Sequence, residues 1–359
     1  MVTDVQSSTF NGRKLKLEIF GGSHSPEIGV NISGLKGERF SEQKLEEFLD
    51  RRKAKKTAYS TKRLEDDKVI FEKGIDGEKI VGDIRAVIKN TKQKSSDYSN
   101  VVKIPRPAHA DFVAFLKYGD TFDYRGGGKF SGRLTAPMCI AGGITKQILQ
   151  EKGIKITAFV SRIGNVQGKT YDDIDQLTFT EEKVDKEFPV VIGSNKEKML
   201  EVIEDARMDL DSVGGIIDCV ITGVPLGAGE YMFDSVEGVI STLAFAVPAV
   251  KGIEFGSGFE LAKMNGSKSN DEFYYKNGEV FTKTNHNGGI NGGMANGMPI
   301  TFRVVIKPTP SIGKEQNTVN LTTKENVKLK IEGRHDSCIV PRAVPVIEAI
   351  AALAVYECL

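Results

Sequence analysis

The C-terminal run PVIEAIAALAVYECL, from Pro345 to Leu359, carries apolar residues on most sides of a helix. A surface helix shows one apolar stripe, whereas a helix apolar nearly all round has to be enclosed. The run is too short to span a membrane and carries Glu348 and Glu357. It therefore predicts a central, buried helix with packing layers around it. A chain of 359 residues has the material for such layers, because at this size about three quarters of the unfolded surface is hidden on folding. The length prior is two domains of about 150 residues, or one large unit.

Other elements follow from local patterns. Ser41 reads as an N-cap, with Phe40 and Leu45 placed for a hydrophobic staple and Leu45, Phe48 and Leu49 forming one apolar stripe. A second helix is predicted over 137–151, ending at Gly153. A third runs from Ser194, as N-cap, to Leu210, with Leu200, Ile203 and Met208 as its stripe. The last helix is predicted to start near Pro345. Strand-like runs cover 14–20, 155–163, 215–223 and 299–307. The segment GVNISGLKGERF (29–40) echoes DCVITGVPLGAGEYMF (218–233): strand, Ile-Ser/Thr-Gly, a glycine-bearing turn, then a helix. Two similar halves in one core, of α+β rather than doubly wound parallel type, follow from this echo. No GxGxxG opens a helix after a strand, and no GxxxxGK[ST] occurs.

The 38 glycines concentrate in GGSHS (21–25), YRGGGKFSGR (124–133) and NHNGGINGGMANG (285–297). His, Arg, Asn and Lys are interleaved there, which marks loops where backbone approaches a ligand rather than featureless linkers. All four histidines, His24, His109, His286 and His335, lie in Gly-, Pro- or Asn-rich segments. Arg106, Arg125, Lys129, Arg133, Arg334 and Arg342 share those loops, and Arg51 to Lys56 form a further basic run. Guanidinium forks among glycine-rich backbone suit a small polyanion carrying phosphate and carboxylate.

Lys plus Arg is 49 and Asp plus Glu 48, a net charge of +1. That balance, without a basic stripe or stacking aromatics, argues against RNA or DNA as partner, and against an anionic membrane. Cys139, Cys219, Cys338 and Cys358 form no CxxC pair and read as buried thiols of a reducing, cytoplasmic compartment. No HExxH and no Cys/His cluster at ligand spacing points to a metal. The N-terminus shows no secretory signal.

The segments GGSHSPEIG, RPAHAD, KYG, DYRGGGKFSGRLT, NHNGGINGG, KPTPSI and GRHDSCIVPRAVPVIEA, with IKNTKQKSSDYS (88–99), GVPLGAGE and VKGIEFGSGF, closely resemble chorismate synthase from about Leu15 to the C-terminus. The resemblance implies helices sandwiched between two antiparallel sheets, usually in a homotetramer. It implies a lyase that eliminates phosphate and a ring hydrogen 1,4 from 5-enolpyruvylshikimate 3-phosphate, giving chorismate for aromatic amino acid biosynthesis. Reduced FMN is required without net redox change, and NADPH enters as a candidate reductant.

Residue by residue, the resemblance gives His24 as the group assisting the departing phosphate and His109 as the histidine near the flavin. Asp336 is the acidic residue acting at the flavin, and Ser23 and Ser131 belong to a proton relay. FMN binding carries over onto Lys129, Phe130, Ser131, Ala249, Gly292, Lys307, Pro308, Thr309, Pro310, Ser311 and Arg334. Substrate or NADP contacts carry over onto Arg52, Arg133 and Arg342. Several positions depart from the family pattern. Gly22 and Ser25 stand where GESHG is usual, Ala108 where RPGHAD is usual, Pro248 for Asn, Ser337 for Pro, and Ala58 for Arg. The competing reading is a divergent flavin- or anion-binding relative with lost or altered chemistry.

Overall fold

Two five-stranded antiparallel sheets enclose a layer of helices in the computed structural model, which describes residues 7–54, 67–90, 103–121, 123–331 and 336–359. The chain opens with β1 (Ser7–Asn11), β2 (Lys16–Gly21), β3 (Glu27–Ser33), helix α1 (Glu42–Asp50), β4 (Val69–Asp76) and β5 (Lys79–Lys89). Helices α2 (Asp111–Tyr118) and α3 (Thr135–Glu151) follow. Then come β6 (Lys155–Ile163), β7 (Val166–Gln167), α4 (Lys196–Met208), β8 (Gly215–Thr222), α5 (Val236–Phe245) and β9 (Val250–Phe255). After the single turn α6 (Gly266–Ser269) come two hairpins, β10 (Phe273–Lys276) with β11 (Glu279–Thr282) and β12 (Ile290–Asn291) with β13 (Met294–Ala295). Strand β14 (Ile300–Ile306), a hairpin of β15 (Gln316–Asn320) and β16 (Glu325–Leu329), and helix α7 (Val340–Cys358) complete the chain.

The sheet orders are β1-β2-β3-β5-β4 and β7-β6-β8-β14-β9. The series β2-β3-α1-β4-β5-α3 and β6-β8-α5-β9-β14-α7 therefore match element for element, with the same strand neighbours. The sequence echo marks equivalent places in the two. Gly34 after β3 and Gly223 after β8 both have positive φ, 104° and 79°. A β-carbon at Gly34 would strike the Lys14 carbonyl just before β2; at Gly223 it would strike the Gly153 carbonyl just before β6. Only glycine fits such a backbone approach.

Helix α3 lies on the first sheet, α7 on the second, and the two pack on each other. Glycines set their spacing. A β-carbon on Gly142 would stand 2.6 Å from the Ala349 carbonyl oxygen of α7, and one on Gly143 2.7 Å from Leu45 and Phe48 of α1. Helix α7 is buried on nearly every side, as its composition requires. Its Glu348 is fully buried and takes both nitrogens of Arg51, at 2.7 and 2.8 Å, and Lys146 Nζ at 2.6 Å. These cations outweigh desolvation and hold its pKa down to about 2.

Ser41 caps α1, accepting from the Lys44 N–H, with Phe40 and Leu45 both buried. Several boundaries differ from sequence expectation. Helix α4 starts at Lys196 after Asn195, because the Ser194 hydroxyl instead accepts from the Lys169 N–H. Its buried residues are Met199 and Ile203, while Met208 is 69% exposed, so the stripe begins one residue earlier than 200. Helix α7 starts at Val340, with Pro341 in its first turn, where the missing N–H costs nothing. Pro345 sits inside the helix.

Candidate active site

The glycine-rich and basic loops converge where the N-terminal ends of α3 and α7 meet the C-terminal end of α1. The turn after β2 carries Ser23 and His24, both buried. It is tied to the triglycine turn 126–128 by a Ser23 N–H to Gly128 carbonyl bond of 3.1 Å. Gly126, Gly127 and Gly128 all have positive φ. A β-carbon on Gly126 would fall 2.6 Å from His24 Cε1, and one on Gly127 3.4 Å from His109 Cε1 and Nε2. The turn thus lies between the two histidines, and at Gly126 only hydrogen leaves room for the His24 ring. Ser131 ends this segment, its Oγ accepting from the Arg133 N–H and its Cβ close to Gly127.

Behind the turn lies a charged network. Arg52 Nη2 donates to Asp67 Oδ2 at 2.7 Å and its Nη1 to Thr135 Oγ1 at 3.2 Å. Arg133 takes the other Asp67 oxygen and donates to Asn90 Oδ1 at 3.3 Å. Asn90 Nδ2 in turn donates to the carbonyls of Gly22 and Ser25, at 3.3 and 2.8 Å. Asn90 ends the β5 edge of the site, and through it Arg133 reaches the loop that holds His24. Ser25, one of the departures from the family pattern, stabilises that loop: its Oγ accepts from the Gly22 N–H and donates to the Gly22 carbonyl. Arg342 Nη1 lies 2.7 Å from Asp336 Oδ2, and its Nε donates to the Arg52 carbonyl at 3.1 Å, so Asp336 joins the same network.

On the far side, His109 Nδ1 lies 2.7 Å from Asp111 Oδ1. Arg106 pairs with Asp111 through Nε and Nη2, at 2.7 and 2.8 Å, and reaches Ser311 Oγ at 3.0 Å. Desolvation would raise the Asp111 pKa, but the Arg106 and His109 bonds hold it well below the usual carboxylate range. Lys307 Nζ donates to the Ala108 carbonyl at 2.6 Å while its N–H donates to the Ala249 carbonyl. Both alanines have positive φ, 57° and 75°. Burial and the neighbouring Lys251 push the Lys307 pKa down. Lys129 Nζ stands 3.7 Å above the Tyr118 ring, which also meets Phe130.

Of the residues expected from sequence, Ser23, His24, Arg52, His109, Ser131, Arg133, Lys307, Ser311, Asp336 and Arg342 share this constellation. Lys129 and Phe130 flank it, and Ala249 adjoins it through Lys307. Pro308, Thr309 and Pro310 form the connecting strap, with the Thr309 carbonyl held by Ser212 Oγ at 2.7 Å. Gly292 stands apart on the β12–β13 hairpin, whose neighbours are Ala228 and Glu230. Arg334 and His335, like Lys55, Lys56, Ala58 and positions 91–99, lie outside the described residues. Asp67, Asn90, Asp111 and Thr135 were not expected. Asp111 had a signal, an acid two residues past His109 that opens α2; nothing in the sequence singles out Asp67.

The profile of the chorismate synthase family matches residues 15–359. The chain belongs to the chorismate synthase family. A chorismate synthase of Korarchaeum cryptofilum is 41% identical over 353 residues, covering 96% of each chain. One of Lancefieldella parvula is 42% identical over 369 residues, covering 99% of this chain and 97% of its own. A chorismate synthase crystal structure superposes with a TM-score of 0.72 at 25% identity, over 97% of this chain and 92% of that one. The protein is thus a chorismate synthase-type lyase of aromatic amino acid biosynthesis, and the helix layer between antiparallel sheets is that family's architecture. Among the described residues no helix is long and apolar enough to cross a membrane. The thiols of Cys139, Cys219 and Cys338 are buried and free.

Proposed function

We propose that this constellation is where the enzyme binds 5-enolpyruvylshikimate 3-phosphate beside reduced FMN and eliminates phosphate to give chorismate. The observation that carries the reading is the triglycine turn between His24 and His109, backed by the Arg52–Asp67–Arg133 network. A leaving phosphate needs a proton and cations, and a ring hydrogen needs a base. His24 protonates the departing phosphate, with Ser23 beside it for relay. Arg52, Arg133 and Arg342 hold the substrate's anionic groups. Asp336, fixed by Arg342, is the base that acts at the flavin. His109 faces the flavin, with Ser131 completing the proton path.

The residues fit FMN. Burial, and after it the nearby Lys251 charge, pushes the Lys307 pKa down, and a phosphate or an anionic ring would offset both. The glycine backbone and the Lys129–Tyr118–Phe130 group offer one wall for a flat ring system. When bound, reduced FMN supplies a reversible source of electron density to an elimination with no net redox change. The chain's task is position, charge and proton placement, which Lys129, Phe130, Ala249, residues 307–311 and Arg334 share.

The decisive experiment is anaerobic turnover with photoreduced FMN. His24→Ala, His109→Ala and Asp336→Ala each lose most turnover and keep FMN affinity, whereas Arg334→Ala loses FMN affinity. Unchanged turnover in the first three overturns their roles. NADPH as reductant is tested by replacing light with NADPH. The buried free thiols support a cytoplasmic location, and a single catalytic unit with an internal repeat is the domain reading. Self-assembly, as a homotetramer, is supported by exposed Tyr231, Met232 and Phe233, the last 93% exposed. A native chain that sediments as a monomer, unaltered by Phe233→Glu, overturns it.

A further inference from the structure

His109 Nδ1 has two neighbours that make opposite demands. Asp111 Oδ1, at 2.7 Å, is a carboxylate oxygen and can only accept, so it needs a proton on Nδ1. Arg106 Nη2, at 3.1 Å, belongs to a guanidinium that can only donate, so it needs a lone pair there. Both contacts cannot be hydrogen bonds in a neutral ring.

The geometry decides between them. Arg106 Nη2 already donates to Asp111 Oδ1 at 2.8 Å, Nε donates to Oδ2 at 2.7 Å, and Nη1 is taken by Ser311 Oγ at 3.0 Å. Each guanidinium nitrogen thus has an oxygen partner other than the imidazole. The carboxylate bond is the shorter and is charge-assisted, and Asp111 and Arg106 are each 5% exposed, where such a bond is strengthened. The Arg106 N–H also donates to Asp111 Oδ2 at 3.1 Å, which fixes the carboxylate against the turn that bears His109. On its other edge the ring meets Gly127, whose missing side chain leaves Nε2 facing the turn shared with His24.

We propose that Asp111 is a positioning residue that keeps the proton of neutral His109 on Nδ1, making Nε2 the nitrogen that exchanges protons in the site. Arg106 holds Asp111 rather than the ring, and Ser311 couples this assembly to the strap that follows β14. The catalytic consequence rests on the site reading above; the tautomer does not.

The test uses the whole enzyme labelled with 15N in histidine only, at a pH where the ring is neutral, with His109→Gln identifying the signal. The expected spectrum has a protonated Nδ1 and an unprotonated Nε2. A proton on Nε2, or a ring protonated on both nitrogens, overturns the proposal. In Asp111→Asn both tautomers are expected, turnover falls on the order of 10- to 100-fold, and FMN affinity changes far less. A variant with native tautomer and native turnover also overturns it. If Asp111→Asn does not fold, the native spectrum still decides. That spectrum needs neither flavin nor substrate. An enzyme with no FMN-dependent turnover would therefore sink the site reading while leaving the tautomer assignment standing.

Discussion

Arg52 Nη2 lies 2.7 Å from Asp67 Oδ2, with the two side chains only 7% and 5% exposed. Arg133, 8% exposed, takes the second oxygen of the same carboxylate. Two guanidiniums meet on one carboxylate in a place shielded from water, a setting that suits an added anion. Asp67→Asn is expected to destabilise the ligand-free enzyme by about 3 kcal/mol, the usual scale for breaking a buried pair. Inorganic phosphate should recover more stability in the variant than in the native enzyme. Urea unfolding with and without phosphate measures both. Equal phosphate effects in the two proteins would remove the argument that this network is an anion site.

The triglycine turn gives a sharper contrast. Gly126→Ala places a methyl 2.6 Å from His24 Cε1 at a residue with φ of 57°. The left-handed backbone alone costs roughly 1–2 kcal/mol, and the His24 ring must also move. Turnover is expected to fall more than tenfold, since small misplacements of a proton donor are costly. Gly132→Ala, six residues on, meets nothing within 4 Å. It should leave turnover and thermal stability near native. A Gly126→Ala enzyme as active as Gly132→Ala would show that the turn does not fix His24.

How much of this was legible in the sequence follows from these same residues. The buried helix α7, the caps of α1 and the echo at Gly34 and Gly223 depend on patterns within a few residues, and local patterns survive in one dimension. The histidines and most of the arginines announced themselves by lying among glycines. Asp67 and Asn90 did not, because their roles come from a fold that brings the starts of β4 and the end of β5 against α3. Met208 misled for the opposite reason. Its spacing of eight from Leu200 fits one stripe, but α4 packs through the 199–203 side and ends before its last turn is covered.

Ala108 is a place where this chain differs from its family's usual glycine and the backbone keeps the glycine conformation, with φ of 57°. The left-handed region costs Ala roughly 1–2 kcal/mol. A glycine there gives back part of that gain, about 0.4–1 kcal/mol, through its freer unfolded chain. Ala108→Gly is therefore expected to raise unfolding free energy by about 0.5–1 kcal/mol. The Lys307 Nζ bond to the 108 carbonyl should persist, since at residue 108 it uses only the backbone oxygen. Denaturant midpoints at constant slope check the sign, and a destabilised Ala108→Gly enzyme would mean that the methyl makes contacts outweighing the strain.

Glu348 sets the acid limb of stability. Its pKa is depressed from 4.5 to about 2 by Arg51 and Lys146, which overcome the cost of burying it. A carboxyl whose folded pKa lies below its unfolded value contributes stability that is fully present above about pH 4.5. That contribution is lost as pH falls towards about 2, because the unfolded chain takes up the proton first. Glu348→Gln removes this dependence, so the stability curve of the variant should be flatter than native between roughly pH 5 and 2. Near neutrality it should be lower by about 3–5 kcal/mol, since Arg51 and Lys146 lose their buried partner. Arg51 immediately precedes Arg52, and Glu348 holds its guanidinium with both oxygens. Loosening that anchor frees the end of α1 from which Arg52 enters the site. Substrate KM is therefore expected to rise in Glu348→Gln more than kcat falls, and parallel pH-stability curves for the two proteins would refute the assignment of the acid limb to this residue.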